Sequence, residues 1–381
     1  MQQRGQSEVL IVGAGPAGCA AGITLARLGI DVCVLDRAVF PRDKVCGDAI
    51  SNDGMQLLET LGAAGAVQRA PHAVVRRAAA VFPDRARIER DYDRPGYIVP
   101  RLHLDDCLRQ ALEGAGARVL QGHNVTELER EGERVVGALG ADLHWRARVV
   151  IAADGYGSVG LPALGQSGPK GRLLAVSATA YYRGVSFPNG ADTADHYFEQ
   201  QLPYGYGWVF PEVDGTTNLG VYLRADGYAR TGRKLSELMH DFVERRADRL
   251  AGAARVGKVR VWSLPVAPRP WPITGPGLLL CGDAGGFVDP LSGEGIWQAL
   301  HTGVRAGEIA ARAIARGELT PALRADYERA CAEDIGKQSR KKAMVQDAMT
   351  FIVDRQLYRS RAVRALLGFG YRKRALEMTK S

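Results

Sequence analysis

The chain has few of the residues that build metal centres. Its seven histidines form no cluster, and its six cysteines (Cys19, Cys33, Cys46, Cys107, Cys281 and Cys331) include no C-x-x-C pair. A tetrahedral zinc framework is thereby disfavoured, and no metal is expected. The chain also lacks any run of about 18 apolar residues of the kind that spans a bilayer. Leu10 to Ala26 comes nearest, but Gly13, Gly15, Pro16 and Gly18 interrupt it. The opening MQQRGQSEV has neither the cationic start nor the apolar stretch of a secretory leader. These absences predict a cytoplasmic protein, soluble throughout or held peripherally at the inner face of a membrane.

What is there is an ordinary globular composition. The 381 residues are 46% hydrophobic and 24% charged, enough for two domains and a large core. The net charge of +8 is unevenly placed: residues 337–381 hold 12 Lys/Arg against 3 Asp/Glu, whereas residues 1–336 hold 38 against 39. In the basic segment Lys341, Lys342, Arg355, Arg359, Arg361 and Arg364 interleave with Phe351, Ile352, Leu357, Tyr358, Leu366, Leu367 and Phe369. This pattern predicts helices with cationic and apolar faces. They form either a solvated cap on the core or a contact with an anionic membrane or a diphosphate head group. Nucleic acid is not an expected partner, because no stacking or groove-reading module accompanies the charge.

Glu8–Gly13 reads as a short buried strand, Pro16–Leu28 as a helix closed by Gly29, and Asp31–Leu35 as a second strand. Parallel strands need such a crossover helix. A helix over Leu104–Leu112 follows, then strands over Ala117–Gln121, Val125–Arg130, Arg134–Leu139 and Ala147–Ala152. Between about 171 and 264 the pattern becomes alternating and aromatic-rich, as in an antiparallel sheet with one covered face. Buried-strand character returns at Gly277–Gly282, before a long helix over Gly295–Arg316. The expected fold is α/β. A Rossmann-like nucleotide-binding domain (1–70, 100–165 and 270–335) is interleaved with an inserted antiparallel β-sheet substrate domain (71–99 and 166–269) and followed by a C-terminal basic helical region (336–381).

The first strand runs into G-A-G-P-A-G, with Gly13, Gly15 and Gly18 in the fingerprint positions and Asp36 closing the next strand. Gly13 permits the tight turn, Gly15 lets the backbone approach a pyrophosphate, and Gly18 allows close helix–strand packing. The helix N-terminus faces the phosphates, and Asp36 accepts from the ribose hydroxyls. Far down the chain, GPGLLLCGDAGGFVDPLSGEGIWQAL supplies a second nucleotide-contacting element. Here Gly282 and Asp283 are expected to end a strand, and Gly293 and Gly295 to offer amides to a ring edge. No second fingerprint exists for a resident nicotinamide. The assignment is FAD, with NAD(P)H a visiting reductant.

Several motifs carry a family likeness. They are the fingerprint, PRDKVCGD at Pro41–Asp48, Arg101 with Leu104 and Asp105, DGYGS at Asp154–Ser158, YGWVFP at Tyr206–Pro211, and GDAGGFVDPLSGEGI. Together they resemble geranylgeranyl reductase family flavoproteins, of the para-hydroxybenzoate-hydroxylase-like, glutathione-reductase-type FAD fold. The resemblance runs from about residue 8 to 335. The fingerprint and the G-D segment are shared with FAD monooxygenases and halogenases; the C-G-D loop and YGWVFP are narrower. The resemblance implies FAD contacts at Ala17, Asp36, Cys46, Gly47, Ala49, Arg101, Val125, Asp283, Gly295 and Ile296. Two positions depart from the pattern. Tyr222 stands where the family has the second glycine of G-x-G after Gly220, and Gly160 where it often has arginine.

In the loop Phe40–Ser51, Cys46 is the one candidate catalytic residue. It is a pocket wall or gate beside the flavin, a proton donor or redox group, or a plain structural thiol. No histidine lies near it in sequence to serve as a base. Tyr204, Tyr206, Trp208 and Phe210 alternate on one strand that Pro211 ends. They are either core packing or, with Gly220, the lining of an apolar tunnel. The isoalloxazine is then expected between the cysteine loop and this aromatic sheet.

The resemblance implies reduction of carbon–carbon double bonds in a prenyl or polyene substrate by hydride transfer from FADH2, with NAD(P)H, a ferredoxin or a separate reductase as donor. The alternatives are an FAD monooxygenase or epoxidase, a prenyl-binding protein without flavin chemistry, and a halogenase. The last needs a lysine after the fingerprint, and none occurs between Lys44 and Lys170.

Overall fold

The apolar runs VLIV and VCVLD are buried along their whole length, which is the pattern of parallel strands covered on both faces by helices. In the computed structural model, which describes residues 3–269 and 272–377, they centre the first of two sheets. Parallel strands run in the order Leu278–Leu280, Leu143–Ala152, Gln3–Val12, Val32–Asp36 and Arg118–Gln121. Thr274–Gly275 adds an antiparallel edge, and the hairpin Glu127–Glu131/Arg134–Gly140 joins the outer half of Leu143–Ala152. Two strands begin earlier than expected. The polar lead of Gln3–Val12 pairs with Leu143–Arg146 beyond the helical layer, where exposure hides a strand from hydrophobic patterning.

Helix Pro16–Arg27 lies on this sheet and crosses helix Ile296–Arg316 at very short range. A Cβ on Gly303 would fall 2.2 Å from the Ala17 carbonyl oxygen, and one on Gly307 2.9 Å from that of Ala21. Small residues on both helices set the crossing distance, and the crossing brings the second nucleotide-contacting element onto the first. Helix Arg101–Gly114 starts earlier than expected, with Pro100 as its N-cap, so Arg101 sits in the first turn.

The second sheet has the order Ala254–Pro265, Leu174–Arg183, Thr216–Arg224, Gly205–Pro211, Thr193–Tyr197, Ala73–Val81, Arg87–Ile98, Ala49–Ile50. Every pairing is antiparallel except that between Thr193–Tyr197 and Ala73–Val81. Helix Leu235–Glu244 covers one face through Leu235, Leu238, Met239 and Phe242. The other face carries the aromatic residues.

The basic segment forms helices Lys337–Asp354 and Arg361–Glu377; residues 378–381 lie outside the described residues. Val353 and Tyr358 are buried with Ala80, Phe82 and Ile88 of the second sheet. Arg224, itself buried, joins Asp347 and Gln346 at 2.8 and 2.9 Å. The segment is thus docked on the β-rich region, while part of it stays open to solvent. Among the described residues no helix is long and apolar enough to cross a membrane.

Candidate functional site

The fingerprint turn depends on glycine for steric reasons. Gly13 has φ of +103°, and a Cβ on Gly18 would sit 1.8 Å from the Gly13 carbonyl oxygen. Gly15 is the N-cap of helix Pro16–Arg27, and no side chain caps that helix, so its first amides remain for an anion. Asp36 accepts from the Ala14 and Ala38 amides at 2.8 Å each, which orients its carboxylate at the end of the second strand.

The cysteine loop folds back over this turn. Arg42 Nη2 lies 3.9 Å from where a Gly15 Cβ would be, and Lys44 Nζ is 3.7 Å from Asp283 Oδ2 and 4.0 Å from the Cβ position of Gly155. Burial lowers the Lys44 pKa, opposed by Asp283. Asp283 does not end a strand as expected. The strand stops at Leu280, and Gly282–Gly285 is a helical turn whose first amide is held by Thr302 Oγ1 at 2.9 Å. Gly295 is the N-cap of the long helix and Ile296 its first residue, and a Cβ on Gly295 would lie 3.5 Å from Asp283 Oδ1. A Cβ on Gly282 would lie 2.9 Å from the Ala17 Cβ, so this turn packs closely on the first helix. Ala49 begins the two-residue strand paired with Ile98. Val125 is buried but precedes the strand that was expected to contain it, which starts at Glu127.

Arg101 and Asp105 form a buried bidentate pair at 2.7 Å, and Arg42 adds a third charge at 2.5 Å. Burial alone would push the Asp105 carboxyl up; the two guanidiniums outweigh it and hold the group below the usual carboxylate range. The Cys46 thiol is within hydrogen-bonding reach of Arg101. Burial, aided by Asp48, nonetheless pushes the thiol up, so it is a thiol and not a thiolate at neutral pH.

Tyr206, Trp208 and Phe210 share one face of their strand, with successive ring centroids 6.2 and 6.1 Å apart. Tyr222 joins them from the next strand, 5.6 Å from Tyr206, and donates to the Pro290 carbonyl at 2.8 Å. Tyr206 donates to the Ser292 carbonyl, so the aromatic face grips the loop that leads to Gly295. Gly220 stands opposite Trp208, and Pro211 is the last residue of the strand. His196 packs between Tyr206 and Phe210, where burial takes its pKa down to about 4 and leaves it neutral at physiological pH.

Two expectations need correction. Tyr204 is not part of the aromatic stripe. It precedes the strand with φ of +52°, and its ring lies under the Arg224 guanidinium at 3.9 Å. Nor is there a ring-thick gap between the whole cysteine loop and the aromatic sheet, because a Cβ on Gly47 would be 3.6 Å from both Trp208 Nε1 and Phe210 Cε2. The loop rests on the aromatic residues at Gly47, which limits any open space to its flanks.

Sequence reasoning missed the polar centre that makes this contact. Asn218 and Asp48 are fully buried; Asn218 donates to the Cys46 carbonyl at 2.9 Å and to Asp48 Oδ2 at 2.8 Å, and accepts from Trp208 Nε1 at 2.8 Å. The available signal was an asparagine two places before Gly220 on the strand Thr216–Arg224, where alternation puts it on the aromatic side. Tyr181 and Glu212 belong to the same cluster and carry no sequence signal.

The donor set suits FAD. Uncapped helix amides and the Arg42 guanidinium lie at the glycine turn, Asp36 is bonded to its Ala14 amide, and Lys44 stands beside Asp283, a set of anion and hydroxyl partners of the kind a dinucleotide needs. The FAD binding domain family matches residues 6–341. A menaquinone reductase of Mycobacterium tuberculosis is 32% identical over 84% of this chain and 80% of its own length. The chain belongs to the FAD binding domain family. It is an FAD-dependent oxidoreductase. Digeranylgeranylglycerophospholipid reductase 1 of Methanothermobacter thermautotrophicus is 28% identical to this flavoprotein over 92% of the chain and 88% of the relative. Two solved structures share its fold. A geranylgeranyl bacteriochlorophyll reductase-like protein from Thermoplasma acidophilum has a TM-score of 0.83 at 24% identity, covering 93% of this chain and 90% of that one. A flavin-dependent brominase has a TM-score of 0.77 at 22% identity, covering 95% and 92%.

Proposed function

We propose that this flavoprotein reduces isolated carbon–carbon double bonds in a polyprenyl chain. The observation that carries the reading is the apolar face of Tyr206, Trp208, Phe210 and Tyr222 meeting the cysteine loop that folds over the FAD fingerprint. The relatives fit it: a digeranylgeranyl phospholipid and a menaquinone differ in their heads and share a polyprenyl chain. When bound, reduced FAD supplies a hydride equivalent. The first turn of helix Pro16–Arg27, with Gly13, Gly15, Ala17 and Gly18, would hold its pyrophosphate, helped by Arg42 and Lys44. Asp36 would accept from the ribose, Asp283, Gly295 and Ile296 would face the ring system, and Ala49, Arg101 and Val125 would support the adjoining walls.

An isolated alkene has no carbonyl to polarise, so the protein's task is to align the chain and exclude water. Aromatic side chains do both. Cys46, protonated at neutral pH, stands at the junction of flavin and substrate sides as a wall, and its Sγ–H is a proton source for the second alkene carbon. His196 cannot serve as a general acid at neutral pH, being already neutral. NAD(P)H, or a ferredoxin or reductase partner, would renew the reduced flavin, and the basic C-terminal helices would bring the enzyme to an anionic membrane surface.

The test is anaerobic incubation of dithionite-reduced enzyme with geranylgeranyl diphosphate, menaquinone and geranylgeranylated glycerophospholipid, followed by mass spectrometry. Gain of two hydrogens supports the reading. A product that forms only after oxygen is admitted and carries an added oxygen atom means a monooxygenase instead.

A further inference from the structure

An acidic hub helps hold the cysteine loop on the aromatic face. Asp48 follows Gly47 with φ of +60° and is 0% exposed. Its Oδ1 accepts from the Arg101 amide at 3.2 Å, and its Oδ2 from the Tyr181 hydroxyl at 2.7 Å and Asn218 Nδ2 at 2.8 Å. One side chain therefore joins the loop to the start of helix Arg101–Gly114 and to two strands of the second sheet. The Glu212 carboxyl, at the corner after Pro211, lies within hydrogen-bonding reach of Asp48; its Oε1 is buried with no donor to meet it among the described residues, and its Oε2 accepts from Thr216 Oγ1 at 3.2 Å.

The charges facing this pair leave it short of compensation. The Arg101 guanidinium is engaged by Asp105 and Cys46, and it favours the Asp48 carboxylate only through space, by less than burial disfavours it. Arg260 is bonded to Asp43 at 2.5 Å, with its guanidinium 5.7 Å from the Tyr181 ring centroid. Tyr181 and Asn218 are neutral donors. Two carboxyls in hydrogen-bond contact cannot both ionise without strong repulsion, so the stable form holds one proton between them.

We propose that Asp48 and Glu212 are positioning residues that share one proton, and that this shared proton fastens Cys46–Gly47 against Trp208 and Phe210. The proton belongs on Glu212, donated to an ionised Asp48 that already accepts three hydrogen bonds. Burial pushes both carboxyls above their ordinary range, and Asp48 pushes Glu212 further. Loss of the proton sets two anions against each other and frees the loop, lifting the wall between flavin and substrate sides. Its role in catalysis rests on the reductase reading; the fastening itself does not.

The test is trypsin cleavage of the FAD-loaded enzyme after Lys44, scored by mass spectrometry against cleavage after Arg130 in the exposed hairpin. It is run at neutral and at alkaline pH on wild type, Glu212→Gln and Glu212→Ala. The amide of Glu212→Gln donates the same hydrogen bond without titrating. Wild type should be protected at neutral pH and cut about tenfold faster, relative to the reference bond, at alkaline pH. Glu212→Gln should stay protected at both, and Glu212→Ala should be cut readily at both. Opening of Glu212→Gln in parallel with wild type, or no pH dependence in wild type, overturns the proposal. No turnover is needed, so the expected cleavage pattern without any reduced prenyl product would leave the fastening in place and reject the reductase reading. Where product does form, kcat of wild type should fall at alkaline pH while that of Glu212→Gln holds; equal pH profiles would remove the positioning role.

Discussion

Gly220 lies across the ladder from Trp208, and its missing side chain is the space the indole fills: a Cβ there would fall 2.1 Å from Trp208 Cζ2. The indole can then reach Asn218, which in turn holds the Cys46 carbonyl. Gly220→Ala should displace the ring and cost about 1–3 kcal/mol, as overpacking of a dense core does. Urea unfolding followed by tryptophan fluorescence measures it. An unchanged midpoint together with an unchanged emission maximum would show that the ring does not need that space.

The nucleotide-binding half was readable because its determinants are local. A buried strand, three glycines at fixed spacing and a terminal acid describe one β-α-β unit, and the structure has it with boundaries shifted by a few residues. The aromatic stripe was readable through period-two spacing at Tyr206, Trp208 and Phe210, but that spacing also drew in Tyr204, whose positive φ ends the strand geometry before it. Alternation reports a face only while the backbone stays extended. The Asp48–Asn218–Glu212–Tyr181 hub was not readable, because its members come from a loop, two strands and a corner up to 170 residues apart, and only tertiary pairing brings them together. The small-residue crossing at Gly303 and Gly307 was missed for a related reason: the glycines look like helix weaknesses until the partner helix is beside them.

Asp105 supplies a prediction with a definite sign. Its carboxyl is held below the ordinary range, so its contribution to stability is present above the unfolded-state pKa and is lost as pH falls through the folded value. Asp105→Asn should therefore destabilise the enzyme by on the order of 3–5 kcal/mol at neutral pH, because it leaves Arg101 buried without its counter-charge. The difference from wild type should shrink as the solution is acidified below the carboxylate range. Denaturant midpoints at a series of pH values check both statements, and a gap that stays constant into acid would contradict the pairing.

Lys44 faces Asp283 and the Gly155 corner from a loop outside the core, so its removal should spare the fold. If its ammonium assists the FAD diphosphate, Lys44→Met should weaken FAD binding about tenfold, the loss of one charge-assisted contact. Flavin fluorescence titration of the apoenzyme reads the affinity, and raising the salt should narrow the difference from wild type. Equal affinities would assign Lys44 to Asp283 alone.

The exposed surface of the basic segment combines cationic and large apolar side chains. Along helix Lys337–Asp354 and the residue after it, Lys337, Lys341, Met344, Ala348, Phe351 and Arg355 recur every three or four positions and are all exposed, a stripe that is cationic at both ends and apolar in the middle. Met344 is 71% exposed, and on the next helix Leu366 and Phe369 are 71% and 66% exposed beside Arg361 and Arg364. A solvated cap does not require large apolar side chains at such exposure, whereas interfacial binding draws on both apolar burial and cationic attraction. The full chain should therefore sediment with vesicles containing phosphatidylglycerol, less with phosphatidylcholine alone, and less again at high salt. Leu366→Glu/Phe369→Glu should lower vesicle affinity at least about tenfold, since burying even one such side chain is worth about 1.5–3 kcal/mol. The substitutions touch no residue of the FAD or aromatic faces, so FAD content should be unchanged. Equal sedimentation of the variant and wild type on anionic vesicles would assign the stripe to solvent and leave the enzyme to take its substrate from elsewhere.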